Sequence, residues 1–164
     1  MISMIVAVAD NDAIGKDGAL PWGHIPADMQ WFRAHTTGKV VVMGSTTWQG
    51  LPPQYRPLPN RTNVVLTSSG SIPGADQVYA GTPEDVIKKI ESDYPDQEIV
   101  IMGGAKVYRD FAQYVKKMYL TRVRCAPEAD TFLPIDQLMS FGTLKLTETT
   151  TLDGDPAIEL QIWE

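Results

Sequence analysis

One cysteine, Cys125, and two histidines, His24 and His35, are all that this 164-residue chain offers of the residues that most often build metal centres and covalent active sites. A lone cysteine closes no intrachain disulfide and builds no thiolate zinc site, which suits a reducing cytoplasm. Neither histidine stands in metal-ligand company, and no Ser/His or Cys/His pairing supplies a nucleophile. Runs of Lys and Arg are absent too, and 14 of them against 20 Asp and Glu leave a net charge of −6, which argues against nucleic acid as the main partner. No apolar run approaches the roughly 20 residues that span a bilayer, so no membrane role is expected. The opening MISMIVAVA is short, lacks a basic leader and ends at Asp10, and so reads as a buried strand and not as a signal peptide. At 43% hydrophobic, the chain has material for one core and too little for two ordinary domains.

Strand and helix signals alternate along the chain, with no repeat and no low-complexity segment. Ile2 to Ala9 is a continuous apolar strand, and Asp10 to His24 is a glycine-containing loop of a length usually kept for function, here a lid. Pro26 to His35 is a helix, Lys39 to Met43 a second buried strand, and the residues after it open a helix towards Leu51. Thr62 to Thr67 and Gln77 to Ala80 are strand-like, and Thr82-Pro83-Glu84-Asp85 starts a capped helix running to about Ser92. Glu98 to Met102 is another apolar strand, followed by a helix from Ala105 to about Tyr114. Lys117 to Arg124, Thr143 to Thr150 and Ala157 to Trp163 complete the strand candidates. The sum is an α/β sheet, mostly parallel, with an antiparallel C-terminal edge.

Two features carry chemistry. Ile25, Met29 and Phe32 recur at spacings of four and three, the pattern of a helix face pressed against a core, and Asp28 lies on that stripe. A carboxylate on a buried face costs several kcal/mol unless hydrogen-bonded, which points to a cationic or N–H-rich ligand. The second feature is a pair of strand-to-helix turns, Gly44-Ser45-Thr46-Thr47 and Gly103-Gly104-Ala105-Lys106, whose small residues let backbone N–H groups approach phosphate oxygens. Together they suggest a dinucleotide across the C-terminal edge of the sheet, its pyrophosphate between two helix starts, without the GxGxxG fingerprint.

These segments resemble the dihydrofolate reductase family. The chain reads Ile14-Gly15, KDGA, Leu20-Pro21-Trp22, GHIPA, Asp28 and Phe32, then Met43-Gly44-Ser45-Thr46-Thr47-Trp48, and then Gly103-Gly104-Ala105-Lys106-Val107-Tyr108. The resemblance covers essentially the whole length and implies a single domain: a mostly parallel sheet of about eight strands, an antiparallel C-terminal edge, four flanking helices, and a cis Gly103-Gly104 bond.

It further implies NADPH-dependent reduction of 7,8-dihydrofolate to tetrahydrofolate, a supply of one-carbon carriers for thymidylate and purine synthesis, inhibition by antifolates, and a cytoplasmic monomer. By that similarity Asp28 binds the 2-amino and N3 side of the pterin, assisted by Thr121. Ile5, Val6, Leu20, Met29, Phe32, Leu51, Leu58, Met102 and Tyr108 wall the pocket. Arg61, behind the stiff Pro57-Leu58-Pro59, grips the α-carboxylate of the glutamate tail. Trp22 packs the lid against the ligand. Ala7, Ile14, Gly15, Gly44, Ser45, Thr46, Thr47, Leu66, Thr67, Ser68, Gly103, Gly104, Ala105, Lys106, Val107 and Tyr108 hold the cofactor.

One acid beside a nicotinamide suits hydride transfer to C6 with protonation at N5. Asp28 lies on the far side of the pterin from N5, so its role is orientation and electrostatics, with an ordered water under the lid as proton carrier. Many members of the family carry a basic residue where this chain has Ser45, so NADH use alongside NADPH is expected, with Lys106 as a compensating charge. Two other readings remain: a riboflavin-pathway pyrimidine reductase, which lacks the Pro-Trp…Asp helix, and a folate- or nucleotide-binding module without turnover.

Overall fold

The computed structural model describes residues 1–140 and 142–164. Its elements in chain order are β1 (Ile2–Ala9), β2 (Ala13–Gly15), α1 (Pro26–Thr36), β3 (Val40–Gly44), α2 (Ser45–Gly50), β4 (Thr62–Leu66), β5 (Gln77–Tyr79), α3 (Pro83–Asp93), β6 (Ile99–Gly103), α4 (Ala105–Phe111), β7 (Lys117–Val123), β8 (Thr131–Phe132), α5 (Ile135–Met139), β9 (Leu146–Leu152) and β10 (Ile158–Trp163). Short 3-10 turns cover Pro53–Tyr55 and Ala112–Tyr114, the latter ending the fourth helix earlier than its sequence pattern suggests. Eight strands form one sheet in the order β5-β4-β3-β6-β1-β7-β10-β9. Pairing is parallel from β5 through to β7, and β10 turns antiparallel to both β7 and β9.

The inner strands are apolar without interruption because both faces of the sheet are covered. Met4, Val6 and Val8 of β1 pack with Val42, Ile101, Ile90 and Phe111 on the face under α3 and α4. Ile5 points the other way, joining Val41, Met43, Val100 and Tyr119 on the face that carries Trp31, Phe32 and Trp48. The third helix follows its sequence signals closely. Thr82 Oγ1 accepts from the Asp85 N–H, Pro83 sits in the first turn, and Val86, Ile87 and Ile90 are buried.

Three features depart from the sequence reading. The stretch from 10 to 24 is not all loop: β2 pairs with β8 in a small separate sheet, and Lys16 and Ala19 bridge each other. The fifth helix, α5, is too short to leave a periodic signature. The strand expected from Thr143 begins at Leu146 and is exposed nearly throughout, so no burial pattern marks its ends. The Gly103–Gly104, Arg56–Pro57 and Asp155–Pro156 bonds are cis. No helix among the described residues is long and apolar enough to cross a membrane.

The far end of α1 is docked through aromatic contacts and a polar network. His35 stacks on Tyr119 with ring centroids 4.3 Å apart and meets the edge of Trp31 at 4.2 Å. The Tyr119 hydroxyl donates to Glu98, which also receives Ser3 and pairs with Lys39. Burial lowers the His35 pKa, and Lys39 and Lys117 lower it further against the opposing Glu98 and Glu148. A histidine held neutral by the fold binds its proton more readily when unfolded, so stability falls as pH drops below about 6.5. Thermal melting of wild type and His35→Asn between about pH 7.5 and pH 5.5 should show a flatter decline in the variant; parallel declines would remove His35 from this role.

Candidate active site

The first turn of α1 carries Pro26 and enters from extended Ile25, whose carbonyl accepts the Asp28 and Met29 N–H groups at 3.1 Å, so Asp28 sits in the positive first turn of the helix. Its side chain turns inward: Asp28 is 8% exposed, and its Oδ1 accepts a 2.7 Å hydrogen bond from Thr121 Oγ1 on β7. Burial raises the Asp28 pKa above the ordinary aspartate value, and the Thr121 hydroxyl offsets part of that rise. A carboxylate has about four acceptor sites, and Thr121 fills one.

The stripe that suggested a core-facing helix does both: Ile25 and Phe32 pack on core clusters, while Met29 and Phe32 also wall a cavity. Met29 is 37% exposed and Phe32 half-buried, while the buried members of α1 are Asp28 and Thr36. Apolar side chains that meet an open cavity have the same spacing as those that meet a core.

That cavity measures about 1620 Å³, beyond the ~300–1,000 Å³ of a typical single-ligand site. Ile5, Val6, Met29, Phe32, Leu51, Leu58, Met102 and Thr121 line it around Asp28, with Leu20 at the rim. Arg61 lies in the wall beyond Phe32. Its Nε donates to the Pro59 carbonyl at 2.8 Å, its Nη1 to Thr36 Oγ1 at 3.1 Å, and its guanidinium lies 5.9 Å from the Phe32 ring centre. Burial and then the nearby Arg33 lower its pKa.

The cavity continues along the C-terminal ends of β1, β3, β4 and β6. Ala7, Ile14 and Gly15 line its middle, and Gly44, Ser45, Thr46, Thr47, Leu66, Thr67, Ser68, Gly103, Gly104, Ala105, Lys106, Val107 and Tyr108 line the rest. The glycines there make the lining close: a Cβ on Gly104 would lie 3.3 Å from Thr47 Oγ1 and one on Gly44 3.2 Å from Val107 Cγ2, each pushing its neighbour back by a few tenths of an ångström, and Gly103 holds φ at +131°. Tyr108 is buried, its hydroxyl 2.8 Å from the Ile5 carbonyl and 2.9 Å from that of Met102, tying β1 to β6 between the two halves of the cavity. The volume and the glycine-lined cradle fit a dinucleotide beside a second ligand. Lys106 lines the cavity with its ammonium largely solvent-exposed and paired with Asp110 at 2.6 Å. The hydroxyls of Thr67 and Ser69 bond each other at 2.8 Å.

The segment between β1 and α1 is strapped across the cavity. Asp130 Oδ2 accepts the Asp17 N–H at 2.8 Å, the Asp130 N–H donates to the Gly15 carbonyl at 3.1 Å, and Lys16 pairs with Glu128 at 3.0 Å. Asp130 and its neighbours escaped the sequence reading because a lone acid in a polar loop gives no pattern. Trp22 does not line the cavity. The Leu20–Gly23 turn sets it against Val123, Ile158 and Leu160.

A parallel sheet with ligand space along its carboxyl edge, a glycine-lined cradle at one end and a single buried acid at the other defines a dinucleotide-dependent reductase of small molecules. The chain belongs to the dihydrofolate reductase family, whose profile it matches over residues 1–160. It is 38% identical over 132 residues to dihydrofolate reductase of Haemophilus influenzae, covering 80% of this chain and 78% of that protein. Dihydrofolate reductase of Neisseria meningitidis serogroup B is 37% identical over 133 residues, covering 81% and 78%. The solved structure of dihydrofolate reductase from Enterococcus faecalis complexed with NADP(H) and RAB-propyl superposes with a TM-score of 0.82 at 30% identity, covering 99% of this chain and 95% of that one. The family's activity, NADPH-dependent reduction of dihydrofolate, makes this chain an oxidoreductase.

Two outcomes follow from the geometry. Folding raises the Asp28 pKa, so its charge is a stability cost that is full above the folded pKa and gone below the ordinary aspartate range of about 4. Asp28→Asn should therefore melt at a higher temperature than wild type in the ligand-free state at neutral pH, and a lower melting temperature would contradict the burial cost. Asp130→Ala removes the acceptor for the Asp17 N–H, so amide exchange should quicken across residues 15 to 18 while the central strands keep their protection. Unchanged exchange in the strap would show that β2 and β8 hold it alone.

Proposed function

We propose that this chain works as a monomeric, single-domain, cytoplasmic enzyme that reduces 7,8-dihydrofolate at the site built around Asp28. The observation that carries the assignment of roles is the buried Asp28 carboxylate, bonded to Thr121 and set in an apolar wall at one end of a two-ligand cavity. A lone, half-buried Cys125 suits the cytoplasmic reading.

Asp28 orients the substrate. Its free acceptor sites match the adjacent N–H donors of a 2-amino-4-oxo pterin ring, and desolvation strengthens those charge-assisted bonds. Thr121 fixes the carboxylate's rotamer by its bond to Oδ1. Ile5, Val6, Met29, Phe32, Leu51, Leu58 and Met102 hold the apolar middle of the substrate, and Arg61 takes the carboxylate of the tail. NADPH, when bound along Gly44–Thr47, Leu66–Ser68 and Gly103–Tyr108, supplies the hydride that C6 of the substrate accepts. The proton for N5 comes from water admitted under the strap, since among the described residues no acid besides Asp28 lines the pterin side of the cavity. Leu20, Ile14 and Gly15 on the strap exclude the remaining solvent. Ser45 gives the cofactor edge a hydroxyl in place of a charge, so NADPH is favoured over NADH only modestly.

Steady-state oxidation of NADPH and NADH with dihydrofolate, read by absorbance, tests this directly. Wild type should turn over dihydrofolate, Asp28→Asn should lose at least about 100-fold in kcat/KM, and NADPH should exceed NADH by less than about 1,000-fold. Tight pterin binding with no oxidation of either nucleotide would make the chain a binding module, and turnover only of a riboflavin-pathway pyrimidine would make it a reductase of that class.

A further inference from the structure

α1 is fastened to β7 at two places. Asp28 in its first turn accepts the Thr121 hydroxyl, and His35 in its last turn stacks on the Tyr119 ring with centroids 4.3 Å apart. Thr121 and Tyr119 alternate onto one face of the strand, and Asp28 and His35 are two turns apart on one side of the helix, so the two contacts together set where α1 lies on the sheet. Between them α1 carries Trp31, whose ring meets His35 at 4.2 Å, and Phe32, part of the cavity wall. Beside His35 stands Thr36, whose Oγ1 accepts from Arg61 at 3.1 Å. The outer wall of the pterin end is therefore carried by the half of α1 that the His35 stack holds down.

That stack suits a neutral imidazole and opposes an imidazolium. Lys39 and Lys117 bring their ammonium groups to 5.1 and 5.3 Å from the Tyr119 ring centre, so the ring already serves two cations. The charged groups that face His35 are Lys39 ahead of β3, Lys117 on β7, Glu98 ahead of β6 and Glu148 on β9. Glu98 is committed to the Ser3 and Tyr119 hydroxyls and to Lys39, Lys117 pairs with Glu164 at 2.9 Å, and Glu148 lies on an exposed strand where solvent screens it. A proton on His35 thus adds a third cation to Tyr119 between two lysines, and burial together with those lysines keeps its pKa below the ordinary histidine value.

We propose that His35 is a positioning residue for the substrate: its neutral imidazole, stacked on Tyr119 beside Trp31, holds the last two turns of α1 on β7, and its protonation loosens them and weakens binding at the pterin end of the cavity. The inference rests on the dihydrofolate reading of that end. The effect falls on substrate affinity and spares the cofactor, because Met29 and Phe32, which α1 gives to the cavity, lie around Asp28. Linkage makes the coupling reciprocal: a ligand that needs the docked helix lowers the proton affinity of His35.

The test measures KM for dihydrofolate and for NADPH from about pH 7.5 to about pH 5 on wild type, on His35→Phe, which keeps a flat ring without a proton site, and on His35→Ala, which keeps neither. In parallel, the His35 imidazole of the wild type is titrated by nuclear magnetic resonance with and without folate. As pH falls, wild-type KM for dihydrofolate should rise about threefold more than that of His35→Phe, with KM for NADPH moving alike in both. At about pH 7.5, His35→Phe should match wild type, while His35→Ala should show a KM for dihydrofolate about threefold higher with no loss of kcat. Asp28 titrates in all three proteins, so the difference between their profiles isolates His35. Folate should lower the proton affinity of His35 by the same factor of about three. Parallel KM profiles in wild type and His35→Phe, a wild-type KM in His35→Ala, or a His35 proton affinity that folate leaves unchanged would overturn the role of His35 and leave the dihydrofolate reading standing. A folate effect on His35 without turnover by folded wild type would overturn the reductase reading alone, and failure of folate to bind would overturn both.

Discussion

The hydrogen bond from Thr121 to Asp28 is the contact on which the rest of the site depends. It joins the first turn of α1 to the middle strands of the sheet and holds a carboxylate where water is scarce. Burial of an unsatisfied charge costs several kcal/mol, and one neutral donor recovers only part of it. The free protein thus keeps an electrostatic debt that a hydrogen-bond-donating ligand cancels, and affinity is drawn from stability withheld in the apo state.

Everything else in the cavity follows from placing that acid beside the carboxyl edge of a parallel sheet. β1 lies at the centre with β6 and β7 as neighbours, so Ala7 and Ile5 divide the space between a pterin end and a nucleotide end. Tyr108 fastens β1 to β6 at that division, and glycines at 44, 103 and 104 keep side chains out of the nucleotide end. The two ends differ in character: one apolar with a single acid and the Arg61 mouth, the other walled by glycines, backbone and hydroxyls. Across the junction lies the strap from β2 to Trp22, anchored to the 128–131 segment by one ion pair and a few hydrogen bonds. Few buried contacts hold it, which is what a segment that must open requires.

How much of this the sequence disclosed depends on how local each signal is. The third helix declares itself through Thr82, Pro83 and its buried Val86, Ile87 and Ile90, and β1 through an unbroken apolar run. Asp28 was legible because a charge interrupts a stripe; that stripe meets core at Ile25 and cavity at Met29, with Phe32 touching both, and periodicity cannot tell one from the other. The packing of Trp22 on Val123, Ile158 and Leu160 was not legible, because a turn at Leu20–Gly23 decides its direction, and that turn is a matter of tertiary packing. β8 and α5 are too short for any period, and exposed β9 has threonines on both faces. The strap's anchors, Asp130 and Glu128, lie far in sequence from Lys16 and Asp17, and only the folded chain brings them together.

The most direct test of the account is the titration of the Asp28 carboxyl by carbon-13 nuclear magnetic resonance, in the free protein and with a 2,4-diaminopyrimidine antifolate bound. The account predicts a pKa above the ordinary aspartate value of about 4 in the free protein and a fall well below it once the ligand's cation pairs with the carboxylate. A carboxyl that titrates at or below the ordinary value in the free protein, or that does not move on binding, would show that Asp28 is neither held at a desolvation cost nor the group that recognises the ligand.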